Sequence, residues 1–304
     1  MTPSPHFAGR FAPSPSGDMH IGNLRTALLA WIWARRSGRD FVLRVEDIDR
    51  VQEGAAERQL EDLKTLGLDW DGDALFQSTR HDAHVDAINR LKDHGLLFEC
   101  YCSRKDIREA ASAPHVLPGT YPGTCRHLSD ADRARERERL AKNGRSPALR
   151  LDPKVDEWTI RDALFGEISE PIDYVVLQRG DGTIAYNLVV VVDDDFQGVD
   201  QVVRADDLLT SAPTQAYIAH ELGIAQPSYV HVPLVVNEGG DRLAKRDGAV
   251  TLRELLDGGW TVEDVVGAIA GSLGFEARTA AELLEVFDPA AMNRDQWVFQ
   301  PPQF

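Results

Sequence analysis

Basic residues are in short supply in this chain: 33 Lys and Arg stand against 49 Asp and Glu, a net charge of −16. That deficit excludes a surface that grips polyanions indiscriminately, so any contact with nucleic acid has to be local. Long apolar runs are missing too. The longest aliphatic stretch, Leu188 to Val192, falls far short of the ~20 residues a membrane-spanning helix needs, and no basic start leads into an apolar run at the N-terminus. A cytoplasmic protein without membrane contact is expected, and no feature points to a protein partner. Cysteine is rare, and Cys100, Cys102 and Cys125 all fall within 26 positions. An odd number so closely spaced suits a metal site better than a disulfide framework. What is left is an ordinary globular composition, 43% hydrophobic and 27% charged over 304 residues, enough for one large domain or two modest ones.

The first half alternates strand and helix signals. Phe7 to Ala12 reads as a strand that runs into the turn Pro13-Ser14-Pro15-Ser16-Gly17. From Ile21 the residues Ile21, Leu24, Leu28, Trp31 and Ile32 recur at helical spacing until Ser37-Gly38 ends the pattern, and Phe41 to Glu46 reads as a second strand. Strand, turn, helix and strand in this span make a βαβ unit and predict an α/β fold with a parallel, Rossmann-type sheet. Helices are predicted at Ala55 to Leu66 and His81 to Leu97, and the cysteine cluster then marks an insertion. Asp132 to Arg145 reads as a solvated helix; an RNA-facing role for Arg133, Arg135, Arg137 and Arg139 is the alternative. Strands are predicted at Tyr174 to Gln178, Leu188 to Val192, Gln201 to Arg204 and Tyr229 to Val236, with Arg179-Gly180-Asp181-Gly182 as a hairpin-like turn. After Thr251 the spacing predicts helices.

The chemistry starts at the first strand-to-helix turn. A helix N-terminus offers free N–H groups and partial positive charge to a phosphate, and Gly22 permits close backbone approach. His20 is placed to donate to a phosphoryl oxygen, with the Asn23 amide nearby. The segment Arg10-Phe11-Ala12-Pro13-Ser14-Pro15-Ser16-Gly17, followed by His20-Ile21-Gly22-Asn23, resembles the signature of class I aminoacyl-tRNA synthetases, glutamyl branch. The family's HIGH motif maps to His20 through Asn23, with Asn23 where a second His would stand. Its KMSKS motif is matched, degenerately, by Arg242-Leu243-Ala244-Lys245-Arg246, where Lys245 keeps the cation that neutralises a triphosphate. The resemblance therefore implies catalytic roles for His20, Asn23 and Lys245, and ATP contacts at His20, Gly22, Asn23 and Lys245, with Mg²⁺ accompanying the ATP.

The same resemblance implies glutamate contacts at Arg10, Ala12, Ser14 and Glu46, the last near the α-amine, and at Tyr186 and Arg204, which lie 18 residues apart in matching context. Arginine pairs bidentately with a carboxylate as lysine does not. At the cysteine cluster, chemistry alone nominates His115 or His127 as a fourth zinc ligand. The short glutamyl paralogues, however, carry a Cys-x-Cys and Tyr-x-x-x-Cys zinc site, which implies Cys100, Cys102, Tyr121 and Cys125 holding a structural zinc.

The expected divisions are 1–98 and 171–250 as two halves of the catalytic domain, 99–170 as the zinc-bearing insertion, and 251–304 as a small helical subdomain without an anticodon-binding domain. That pattern resembles the glutamyl-Q tRNA(Asp) synthetase family. It implies tRNA-independent activation of glutamate with ATP, then transfer to queuosine at the wobble position, with the anticodon arm of tRNA(Asp) as partner. A truncated enzyme charging tRNA(Glu), and a non-enzymatic RNA-binding paralogue, are the alternatives.

Overall fold

A computed structural model of the chain describes residues 7–103, 105–107, 121–241, 243 and 250–300. The predicted βαβ unit is present. Strand β1 (Ala8–Phe11) leads through the Pro-rich turn into helix α1 (Ile21–Arg36) and back to β2 (Asp40–Val45), which pairs parallel with β1. Gly9 is required in β1: a Cβ there would come within 2.7 Å of the Ala34 Cβ, so the strand and α1 pack at backbone distance.

Around this unit the main sheet runs β3-β2-β1-β9-β10-β6-β7. Its members are β3 (Leu75–Phe76), β9 (Val199–Ala205), β10 (Ser228–Val232), β6 (Glu157–Asp162) and β7 (Gly166–Pro171). All neighbours are parallel except the β6–β7 hairpin. Strand β1 lies between β2 and β9, so the connections reverse direction there. That reversal opens a crevice at the C-terminal ends of β1, β2 and β9.

Both faces of the sheet are covered, as a parallel sheet requires. One face carries α1, buried nearly all round, including Arg25, because the C-terminal helices α7 (Leu252–Asp257), α8 (Val262–Ser272) and α9 (Ala280–Val286) cover its far side. The other carries α3 (His81–Asp93), α5 (Tyr186–Phe196) and α6 (Ala212–Glu221). Helix α2 (Ala55–Thr65) stands beside the Pro-rich turn. A small antiparallel sheet of β4 (Leu97–Cys100), β5 (Ala148–Leu151) and β8 (Val176–Gln178) carries the insertion, with α4 (Asp130–Ala141) against it. Strands β11 (Val235–Val236) and β12 (Trp297–Val298) pair separately.

Three expectations change. Leu188 to Val192 is not a strand but the middle of α5. A short run of β-branched residues carries no period of its own; the helix buries Val190 and Val191, and Asp193 and Asp194, as adjacent pairs that a strand would send to opposite faces. Leu97 starts β4 instead of ending α3, because Gly95 at φ 68° breaks the helix. The β6–β7 hairpin, all but its last residue within the span 99–170, is bonded to the main sheet, whereas β8, beyond that span, completes the insertion sheet. The arginines of α4 meet acids or carbonyls: Arg135 pairs with Asp132, Arg137 with Glu99 and Arg139 with Glu136, and Arg133 donates to the Leu128 carbonyl.

Candidate active site

The crevice at the strand reversal is a cleft of about 700 Å³. Arg10, Ala12, Ser14, His20, Asn23, Glu46, Tyr186 and Arg204 all line it. These positions span most of the chain, and the sheet topology brings them together.

At the floor, α1 begins with a reciprocal cap. The His20 Nδ1 accepts from the Gly22 N–H (3.1 Å), and the Asn23 Oδ1 accepts from the His20 N–H (3.3 Å). Because Nδ1 accepts, the neutral imidazole carries its proton on Nε2, as a donor to an anion requires. Asn23 closes the cap, a task for which its short amide is suited. A Cβ on Gly22 would lie 3.0 Å from the His20 ring, so the glycine leaves room for the ring's position. Val250 accepts a hydrogen bond from the Ile21 N–H, and Thr251 bridges His20. Leu243 lines the cleft and donates its N–H to the Val235 carbonyl. Val250 and Thr251, downstream of the second motif, are thereby held at the start of α1, and Leu243 within it is held to β11; Arg242, Ala244, Lys245 and Arg246 lie outside the described residues.

The amino-acid end is a dense set of charges. Arg10, 3% exposed, donates from Nε to Asp194 Oδ1 (3.3 Å) and from Nη1 to the Val203 carbonyl. Fully buried Arg44 donates to the same Oδ1 at 2.7 Å and stands 3.7 Å from Glu46. Burial disfavours the Asp194 anion, but Arg44 and Arg10 outweigh it and hold its pKa below the ordinary value. Glu46 goes the other way: burial raises its pKa, offset only in part by Arg44 and Arg10. An ammonium group beside Glu46 would favour its charged form and lower that pKa. Tyr186, first residue of α5, is 37% exposed on the cleft wall; desolvation among its neighbours and the nearby Glu46 push its phenol upward, so it stays protonated and able to donate.

Sequence reading missed the residues that brace this set. Gln59 on α2 donates to the carbonyls of Ser14 (3.1 Å) and Gly17 (2.6 Å), fixing the Pro-rich turn. Asp194 accepts from both Arg10 and Arg44, and Asp193 accepts from His84 (2.9 Å) and Arg80 (3.3 Å), clamping α5 to α3. Asp193 and Asp194 follow the valine run directly, and nothing local in the sequence shows that both are buried. A polar residue on a helix face otherwise buried is the signal that a correct helix assignment would have exposed.

In the insertion, the sulfurs of Cys100, Cys102 and Cys125 lie within 4.8 Å of one another. The Cys102 Sγ is 3.5 Å from the Cys125 Sγ and 3.5 Å from the Tyr121 Oη, which also accepts from the Cys125 N–H (3.0 Å). Tetrahedral zinc with Zn–S bonds of about 2.3 Å needs sulfurs roughly 3.8 Å apart, so this donor set fits a metal. Among the described residues His127 does not join the group; His115 lies outside them.

Residues 7–293 match the family described as tRNA synthetases class I (E and Q), catalytic domain, and the chain belongs to that family. Within it, the chain is 58% identical over 291 residues to the glutamyl-Q tRNA(Asp) synthetase of Nocardia farcinica, covering 96% of this chain and 92% of that protein. It is 47% identical to the protein of the same name from Cutibacterium acnes, over 93% of this chain and 78% of that one. A crystal structure of glutamate-tRNA synthetase from Elizabethkingia anophelis shares the fold, with a TM-score of 0.81 and 22% identity over 97% of this chain and 68% of that one. Among the described residues no helix is long and apolar enough to cross a membrane.

Proposed function

We propose that the chain activates glutamate with ATP and transfers it to queuosine in tRNA(Asp). One observation supports the reading: Arg10, Arg204, Glu46 and Tyr186 line the same cleft as His20 and Asn23 of the capped start of α1. Such a site holds a zwitterion with a second carboxylate beside a nucleotide triphosphate. Arg204 receives the side-chain carboxylate and Glu46 the α-amine, while Arg10 and the Ala12–Ser14 turn close around the rest. His20, Gly22 and Asn23 hold the phosphates at the helix start.

In the first step the glutamate α-carboxylate attacks the ATP α-phosphorus, pyrophosphate leaves, and the Nε2–H of His20 meets the charge that builds on the phosphoryl oxygens. Lys245, between Leu243 and Val250 in the sequence, neutralises the charge of the departing pyrophosphate, with Mg²⁺ accompanying the nucleotide. In the second step a queuosine hydroxyl attacks the adenylate carbonyl, its proton is released, and AMP leaves. Cys100, Cys102, Tyr121 and Cys125 hold a zinc ion that braces the insertion; four protein ligands leave no position for a catalytic water.

Glutamate-dependent exchange of pyrophosphate into ATP in the absence of tRNA tests activation. Its absence overturns the enzyme reading. Radiolabelled glutamate on tRNA(Asp) with and without queuosine tests the acceptor, and label on tRNA(Glu) instead overturns that assignment.

A further inference from the structure

We propose that His231 and Asp162 are positioning residues for glutamate recognition: a relay across three adjacent strands that fixes the orientation of the Arg204 guanidinium in the cleft. The inference rests on the reading of Arg204 as a glutamate contact.

Arg204 on β9 and His231 on β10 are direct partners in the parallel register, and Tyr229 of β10 is the partner of Asp162 on β6. All three side chains are buried, with His231 at 0% exposure. The Arg204 Nε–H donates to the His231 Nε2 at 2.9 Å, and the Nδ1 of the same ring lies 2.7 Å from Asp162 Oδ2. These contacts determine the tautomer. Arginine only donates, so Nε2 must accept, and the ring proton must sit on Nδ1, facing Asp162. Asp162 is committed as an anion by its other contacts: Oδ2 also accepts from the His231 N–H (2.9 Å), and Oδ1 accepts from the N–H groups of Leu164 (2.8 Å) and Phe165 (3.0 Å). Four donors converge on two oxygens, which no amide satisfies.

The guanidinium is pinned further along its length. Nη1 donates to Gln215 Oε1 (2.8 Å) and Nη2 to the Leu208 carbonyl (3.4 Å), and the Gln215 amide donates to Asn187, next to Tyr186. The relay therefore takes Nε, the one N–H that would let the fork turn, and Gln215 ties Arg204 to the helix that carries Tyr186. An imidazolium at position 231 would set N–H against N–H and charge against charge. A buried neutral histidine in the less common Nδ1–H form is thus built into the back of the pocket.

Two measurements test the relay. In ¹⁵N-resolved NMR of the ring in the intact protein, Nδ1 should appear protonated and Nε2 unprotonated; an Nε2–H ring or an imidazolium at neutral pH would overturn the proposal. In pyrophosphate exchange, His231→Leu should raise the glutamate KM by about tenfold or more while the ATP KM stays within about twofold. His231→Gln, which returns an acceptor toward Nε, should recover most of the loss. An unchanged glutamate KM in His231→Leu, or an equal loss for glutamate and ATP without rescue by glutamine, overturns it. If His231→Leu does not fold, the NMR measurement decides. Arg204→Ala is the separate control: unaltered glutamate kinetics there sink the glutamate contact itself, whatever the histidine shows.

Discussion

Asp194→Asn is the most informative single substitution in this protein. Both the Arg10 and Arg44 bonds go to Oδ1, so asparagine keeps the shape and an acceptor and removes only the charge. Two buried arginines then share Glu46 as nearby counter-ion, and Arg44, whose Nε and Nη2 already lack hydrogen-bond partners, has it at 3.7 Å. Breaking a buried pair from one side costs about 3–5 kcal/mol; with the acceptor retained, the low end, about 3 kcal/mol, is expected. In a chain of this size that lowers Tm by roughly 5 °C. Asp195, the exposed next residue of α5, is the control, and Asp195→Asn should shift stability by no more than about 0.5 kcal/mol.

The charge also reaches function. Asp194 is one of the groups that raise the Glu46 pKa, so its loss favours the Glu46 carboxylate and leaves it as counter-ion to Arg44 and Arg10, in competition with an incoming amine. Glutamate KM should rise about tenfold, with ATP KM nearly unchanged. Because the folded pKa of Asp194 is depressed, its contribution to stability is present above the ordinary carboxylate pKa and is lost as pH falls through the lower folded value. Acid unfolding of the wild type should therefore include a component that Asp194→Asn lacks. Urea unfolding at several pH values and exchange kinetics measure both effects; equal behaviour of the 194 and 195 variants would refute the reasoning.

Three further outcomes are expected. Gly22→Ala adds a Cβ 3.0 Å from the His20 ring; it should cut kcat for exchange about tenfold while costing no helix stability, since alanine is the better helix former by about 1 kcal/mol, and wild-type turnover would count against His20. Gln59→Leu strands the Ser14 and Gly17 carbonyls at a cost of about 1–3 kcal/mol, seen as a lower urea midpoint and a higher glutamate KM; an unchanged midpoint would show that the turn holds itself. Purified protein should contain zinc by elemental analysis, lost in Cys125→Ser, and chelation should open the insertion to protease while tRNA-independent exchange persists. Protein without zinc, or exchange that fails on chelation, contradicts a structural metal.

Local signals carried the first βαβ unit because each piece is short and self-contained: an alternating strand, a Pro-rich turn, an apolar face at helical spacing and a glycine stop. They failed at Leu188 to Val192, where four valines look like a strand and the aspartates behind them look like a solvated end. Nothing nearby in the chain reveals that Asp194 meets Arg10 from 184 positions away. The same holds for His231 and Asp162. A histidine inside an apolar strand reads as a core residue until its register against Arg204 is known.

By itself the sequence determined the chemistry available: the capped glycine turn that attracts phosphate, the arginines and glutamate for a zwitterion, and three thiols close enough to share an ion. Each of those depends on residue type and on spacing within one turn or loop, which the covalent chain sets directly. The tertiary structure alone decided which charges face one another, which are buried, and therefore which carboxylate is ionised, which is raised and which histidine tautomer the pocket holds. Those properties depend on distance and on exclusion of water, and both come from strand order rather than chain order.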